Sequence, residues 1–174
     1  MNLTFNKDIT YEVLLLLDDM DLENLCYLSS DIHDICNNQQ LWYMKILNTY
    51  ADLPVMNVDY KILYYKLKYD QWTDLVVYAE NNDLLMHWIS SQPKYQKFVI
   101  SKIGQYQNAM ATVTGSINKR KNLHQLLIFL YNHKRWLNSY LKYKAMVLHK
   151  LQGFINEEDK SSDLYQLYIK LFLD

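Results

Sequence analysis

The chain has 174 residues, half of them hydrophobic and 14% aromatic, against only three Gly and two Pro, and a formal net charge of −1. That is too apolar for a disordered chain and too poor in turn residues for an all-β fold, so the expectation is all-α. No apolar run approaches the roughly 20 residues that span a bilayer, and Met1–Asp8 lacks a charged-then-apolar leader, so the sequence reads as soluble and intracellular, with no membrane partner.

In chain order, Asp8 is the expected N-cap of a first helix over Ile9–Leu17, and Asp21 of a second over Leu22–Ser29. Ser30 caps a short third over Asp31–Cys36, and Asn38 a fourth over Gln39–Asn48. Ala51-Asp52-Leu53-Pro54-Val55 reads as a linker, because Pro disfavours helix in the residue before it. Asp59 starts a Tyr-rich helix, and further helices are expected over Gln71–Glu80 and Asp83–Ser91. Pro93 suits the first turn of the next helix, and Thr112–Ser116 is a loop. Helices over Leu123–Tyr131 and Arg135–Leu151 follow, the latter closed by Gly153 as C-cap. A last helix over Ser162–Leu173 presents Leu164, Leu167, Tyr168 and Leu171 on one face.

The opening segment resembles an F-box. Ile9-Thr10-Tyr11-Glu12 stands where that family has Leu-Pro-x-Glu, and an apolar run over Val13–Leu17 follows. Next come Asp21-Leu22, Leu25, Leu28-Ser29, Ile32, Ile35-Cys36 and the closing Leu41-Trp42. Leu22 to Trp42 align with the family pattern without a gap. Thr10 replaces the usual Pro, and the stretch from Glu12 to Leu22 is about four residues short, close to one helical turn. A shortened form of this kind looks like the F-boxes of giant-virus proteins. An excess of Lys, Asn and Tyr, with only two Arg, fits the AT-rich codons of such genomes.

The resemblance implies a helical unit over residues 5–50 that docks on the Skp-type adaptor of a cullin–RING ubiquitin ligase. Its adaptor-binding residues would come from Ile9, Leu14, Leu17, Leu22, Leu25, Leu28, Ile32, Ile35, Leu41 and Trp42, divided between internal packing and adaptor contact. Trp42 would be an interface anchor. Residues 57–174 would form a helical bundle or stacked helix pairs that captures a target protein. Two pieces there, Ala79–Ser90 and Lys121–Tyr131, faintly resemble the second helices of ankyrin-type pairs. Neither has the Thr-Pro-Leu-His turn, and a generic bundle gives the same rhythm.

Charge is divided unevenly. Residues 1–50 hold eight acids and two bases, a balance of −6, whereas residues 94–150 hold eleven bases and no acid. The second segment includes Lys119, Arg120, Lys121, Lys134, Arg135, Lys142 and Lys144 as a candidate basic patch for an acidic partner or nucleic acid. The alternative is that these side chains solvate outer helix faces.

No catalytic chemistry is expected. The five His form no metal motif, the three Gly are isolated, and Cys26 and Cys36 are not a CxxC pair. The two Cys read as small buried thiols in a reducing compartment. Asp18-Asp19 and Glu157-Glu158 lie beside turns and read as solvated acids. No metal and no cofactor is expected. The functional expectation is a viral adaptor working in the cytoplasm of a host cell. The alternatives are an assembly protein of a virion or complex with a vestigial F-box, and a binder of nucleic acid or an acidic partner through residues 94–150.

Overall fold

Side-chain caps decide where several helices begin, and most of them act on an N–H two or three residues ahead. The structure is a computed structural model, and it describes residues 7–139, 141–156, 158 and 160–172. Among these there are twelve helices and no strand, an all-α fold. They are α1 (Lys7–Leu16), α2 (Asp19–Leu28), α3 (Ser30–Cys36), α4 (Gln39–Leu47), α5 (Tyr60–Lys68) and α6 (Trp72–Tyr78). There follow α7 (Asp83–Ser91), α8 (Pro93–Thr112), α9 (Ser116–Asn132), α10 (Lys134–Ser139), α11 (Leu141–Ile155) and α12 (Asp163–Phe172).

Asn38 caps α4 through Gln40 N at 2.9 Å, and Asp59 caps α5 through Lys61 N and Ile62 N. Pro93 opens α8 as expected. Other positions differ. Asp8 lies inside α1 rather than ahead of it. Asp18, not Asp21, caps α2, its Oδ1 accepting from Asp21 N at 2.9 Å. Ser29, not Ser30, is the N-cap residue of α3. The helix expected to begin at Leu123 starts seven residues earlier, at Ser116, where Gly115 at φ 92° makes a turn that disfavours any side chain. Gly153 does not end its helix. Val147, Leu151 and Ile155 are all buried at a spacing of four, and their packing carries α11 past a Gly that costs about 1 kcal/mol.

The chain divides into two compact units, residues 1–75 and 76–174. In the first, α4 packs on α1, α3 and α5, and α2 packs on α3. Trp42 is 1% exposed, with its ring centroid 5.5 Å from Tyr64 and 5.6 Å from Tyr65 of α5. The expected linker is tied into this unit: Tyr43 donates to Leu53 O at 3.0 Å, and the Tyr60 hydroxyl bonds both the N–H and the C=O of Met56. Helix α5 ends in a Schellman turn. Asp70 N donates to Leu67 O and Gln71 N to Lys66 O, with Asp70 at φ 50°.

In the second unit α9 packs on α8, α10 and α12. Leu123, Leu126, Leu127 and Leu130 follow the i, i+3, i+4, i+7 rhythm of a core face, and all are buried. Each such side chain contributes roughly 2 kcal/mol of burial. No helix among the described residues is long and apolar enough to cross a membrane.

Candidate docking surface

The F-box-like residues separate into three sets. Leu14, Leu22, Leu41 and Trp42 are at most 2% exposed, so they pack the first unit and are not available to a partner. Trp42 Nε1 donates to Cys36 O at 2.7 Å, which ties α4 to the end of α3. Its expected place as an interface anchor is thereby corrected: the ring anchors α5, α3 and the unit's own core. Leu17, Leu25, Ile32 and Ile35 are half-buried. Leu28 is 81% exposed. The side chain of Ile9 lies outside the described residues.

Four further apolar side chains share this region with Leu28. Leu16 is 87% exposed, Tyr27 86%, Met20 72% and Val13 51%. Met20 and Tyr27 are seven apart in α2, so they point the same way. Other exposed apolar residues occur at Val55, Ile62 and Tyr69 in the first unit and between Val77 and Met146 in the second, none of them as dense along the chain as the four between residues 16 and 28. The sequence carried a signal for this surface. The run Val13-Leu14-Leu15-Leu16-Leu17 is apolar all round, more than a helix with one inner face can bury. Exposed acids border the surface at Glu12, Asp18, Asp21 and Asp31.

Behind this surface sits a charged network that the sequence did not reveal. Asp19, read as a solvated acid, is 9% exposed. It accepts from Lys45 at 3.2 Å, from the Tyr64 hydroxyl at 2.9 Å and from Lys68. Lys45, itself 6% exposed, also donates to Leu17 O at 3.1 Å. Burial pushes the Asp19 carboxyl up, but the hydrogen bonds from Lys68, Tyr64 and Lys45 outweigh it and hold the carboxyl below its ordinary value. The Tyr65 hydroxyl donates to Glu23 in the same way. Burial first, and these carboxylates second, raise both tyrosines above their usual range. The network fixes α2 against α4 and α5, and so sets the angle at which Met20 and Tyr27 leave the unit.

The two cysteines are not free thiols: Cys26 and Cys36 form a disulfide. The chain reverses at Ser29, and α2 lies on α3 with the two Cα atoms 6.0 Å apart, within bridging range. Cys36 is buried and Cys26 half-buried.

The basic residues do not gather along one stripe of α9. Lys119, Arg120 and Lys121 lie near its start, each turned about 100° from the last, and Lys134 and Arg135 follow its end, about 20 Å away at 1.5 Å per residue. Arg120 pairs with Glu158 at 3.2 Å and Arg135 with Asp83 at 2.7 Å. Lys134 stands 4.7 Å from the Tyr131 ring, and Lys144 donates to Asn138 at 2.9 Å. Lys142 is exposed on α11. Glu158 is thus half-buried and paired, and Glu157 lies outside the described residues.

One buried polar pair remains, in the second unit. The Tyr95 hydroxyl and His133 Nδ1 share a hydrogen bond of 2.6 Å, with the rings of Phe98 and Phe129 packed on His133. His133 is 1% exposed, and its Nε2 has no hydrogen-bond partner among the described residues. Burial drives its pKa down to about 4 and that of Tyr95 up. The imidazole is thereby held neutral and packed among aromatic rings.

Among known proteins, the chain matches no family model, no curated protein and no solved structure.

Proposed function

We propose that the first unit is an F-box-like docking module for a Skp-type adaptor, and that the second unit captures a target protein for ubiquitin transfer by the other ligase subunits. One observation carries the reading. Between residues 16 and 28, Leu16, Met20, Tyr27 and Leu28 are each more than 70% exposed, on a unit whose own core is already filled. Exposed apolar side chains concentrated this way mark an interaction site. Covering a Leu there would contribute roughly 2 kcal/mol. The acids around the surface favour a partner groove that is apolar within and basic at its border.

On this reading the contacts come from Val13, Leu16, Met20, Tyr27 and Leu28, together with the half-buried Leu17, Leu25 and Ile32. Leu41 and Trp42 shape the module without touching the partner. The protein would work in the cytoplasm of a host cell, as a viral recruiter of host ligase.

The test is a binding titration of the full chain against a purified Skp-type adaptor. Wild type should bind, and a Leu16→Asp, Leu28→Asp double variant should not, while both keep the same helical content. Equal binding by the two sinks the reading. A stoichiometric place in purified particles, with no adaptor bound, would favour the assembly role instead.

A further inference from the structure

We infer that the Cys26–Cys36 pair is a reversible redox modification site, and that its disulfide holds the docking surface in its binding geometry. The inference rests on the adaptor reading and adds regulation to it.

Apart from its packing on α2 and α4, little holds α3 in place. It has seven residues, and Cys36 is the one that is buried. Two polar contacts help: Trp42 Nε1 to Cys36 O at 2.7 Å, and His33 Nδ1 with Cys26 O at 3.3 Å. A helix of two turns has little stability of its own. The disulfide joins its last residue to α2, directly beside Tyr27 and Leu28. The Asp19 network fixes the start of α2, and the disulfide fixes its end. With both ends held, Met20, Tyr27 and Leu28 form a preorganised surface. With the second tether cut, α3 and the end of α2 are free to fray, and only a fraction of molecules present that surface.

The two sulfurs differ in access. Cys36 is 2% exposed, whereas Cys26 is half-buried, so exchange begins at Cys26. The Cys26 thiolate attacks a low-molecular-weight disulfide such as oxidised glutathione. The S–S bond of that disulfide breaks, one thiol leaves, and a mixed disulfide forms on Cys26. The Cys36 thiolate then attacks the Cys26 sulfur and expels the second thiol. The sum is one dithiol and one small disulfide in, one protein disulfide and two small thiols out, with the two cysteine protons passing to those thiols through solvent. Excess small thiol runs the steps backwards, starting on the same more accessible cysteine, Cys26.

The experiment equilibrates the full chain in glutathione buffers from fully oxidised to fully reduced, counts free thiols, and titrates each state with the adaptor. The thiol count should move through a midpoint within the buffer range. The oxidised chain should bind about tenfold more tightly, the factor expected if a tenth of the reduced molecules are competent. A Cys26→Ser, Cys36→Ser variant should bind like the reduced chain in every buffer. A thiol count that never changes overturns reversibility. Equal binding by both states overturns the regulatory role and leaves the adaptor reading standing. Absence of binding in both states overturns the adaptor reading instead. Hydrogen exchange at residues 30–36 then still tests the tether, since reduction should speed it, and unchanged exchange overturns that too.

Discussion

The two units bury polar groups in opposite ways. The first keeps an ionised carboxylate, Asp19, and satisfies it with Lys45, Lys68 and Tyr64. The second keeps a neutral pair, Tyr95 and His133, and seals it with phenylalanine rings. A buried ion must be matched by partners, whereas a buried neutral group must be protected from ionising. The first arrangement is directional and holds helices at set angles, which suits a unit that exposes a surface. The second is a packing solution.

The largest expected effect comes from breaking the ionic side. Asp19→Ala leaves Lys45, 6% exposed, with only the Leu17 carbonyl and the face of the Tyr64 ring among its described partners, and should cost the first unit on the order of 4 kcal/mol. Lys68 adds little to that figure, since it is 40% exposed and screened. Denaturant unfolding followed by Trp42 fluorescence in a chain lacking the other tryptophans would measure it. A loss below about 1 kcal/mol would mean the network is ornamental. The pH sign follows from the lowered Asp19 carboxyl: its contribution is complete above the ordinary carboxyl value of 3.8 and is lost as pH falls through the lower folded value.

The neutral side should fail in acid by a different route. His133 titrates at about 4 when folded against 6.5 when unfolded. Between those values the unfolded chain binds a proton that the folded chain refuses, so stability falls as pH drops from 6.5 to about 4, and levels off below. The fall amounts to about 3 kcal/mol at 1.36 kcal/mol per pH unit. His133→Leu should flatten that limb in the second unit and leave the Asp19 limb, at lower pH, in place. A melting curve against pH that is unchanged by the substitution would contradict the contrast.

How much of this was legible beforehand depended on range. Asn38, Asp59 and Pro93 act within one helical turn, and the sequence placed all three correctly. The leucine rhythm of α9 announced a core face. Asp19 could not be read, because its partners lie 26, 45 and 49 residues away. A carboxylate beside a turn looks the same whether solvated or buried. The cysteine pairing depended on the reversal at Ser29, which no spacing rule supplied. The exposed apolar surface was half legible. The resemblance pointed to the segment, but which residues face outwards is decided by packing, of α1 on α4 and of α2 on α3. The outward-facing Val13, Leu16, Met20 and Tyr27 were therefore missed; of the residues left undivided between packing and contact, Leu14, Leu22 and Leu41 fall to packing, and Trp42, expected as an interface anchor, is buried with them.

Cutting the covalent tether should rank next. Replacing both Cys26 and Cys36 by Ser removes a crosslink between residues ten apart, a loss of roughly 2.7 kcal/mol in the chain-entropy account. The effect should be confined to the first unit. It should add to His133→Leu without coupling, because the sites lie in different units. A non-additive double variant would show that the two sites are energetically coupled.

The smallest effect on stability is the sharpest test of the surface. Leu22 and Leu28 stand on the same helix, one 0% and the other 81% exposed. Leu22→Ala should cost about 3 kcal/mol, since it opens a cavity in the core. Leu28→Ala should stay within about 0.5 kcal/mol, since the side chain already faces water. On adaptor binding the ranking should reverse once both variants are compared below their melting points: Leu28→Ala removes a contact, and Leu22→Ala leaves the surface intact. Equal thermal losses from the two substitutions would place Leu28 in a core. Equal binding losses, with folding preserved, would mean that the surface is read only through the unit's overall stability.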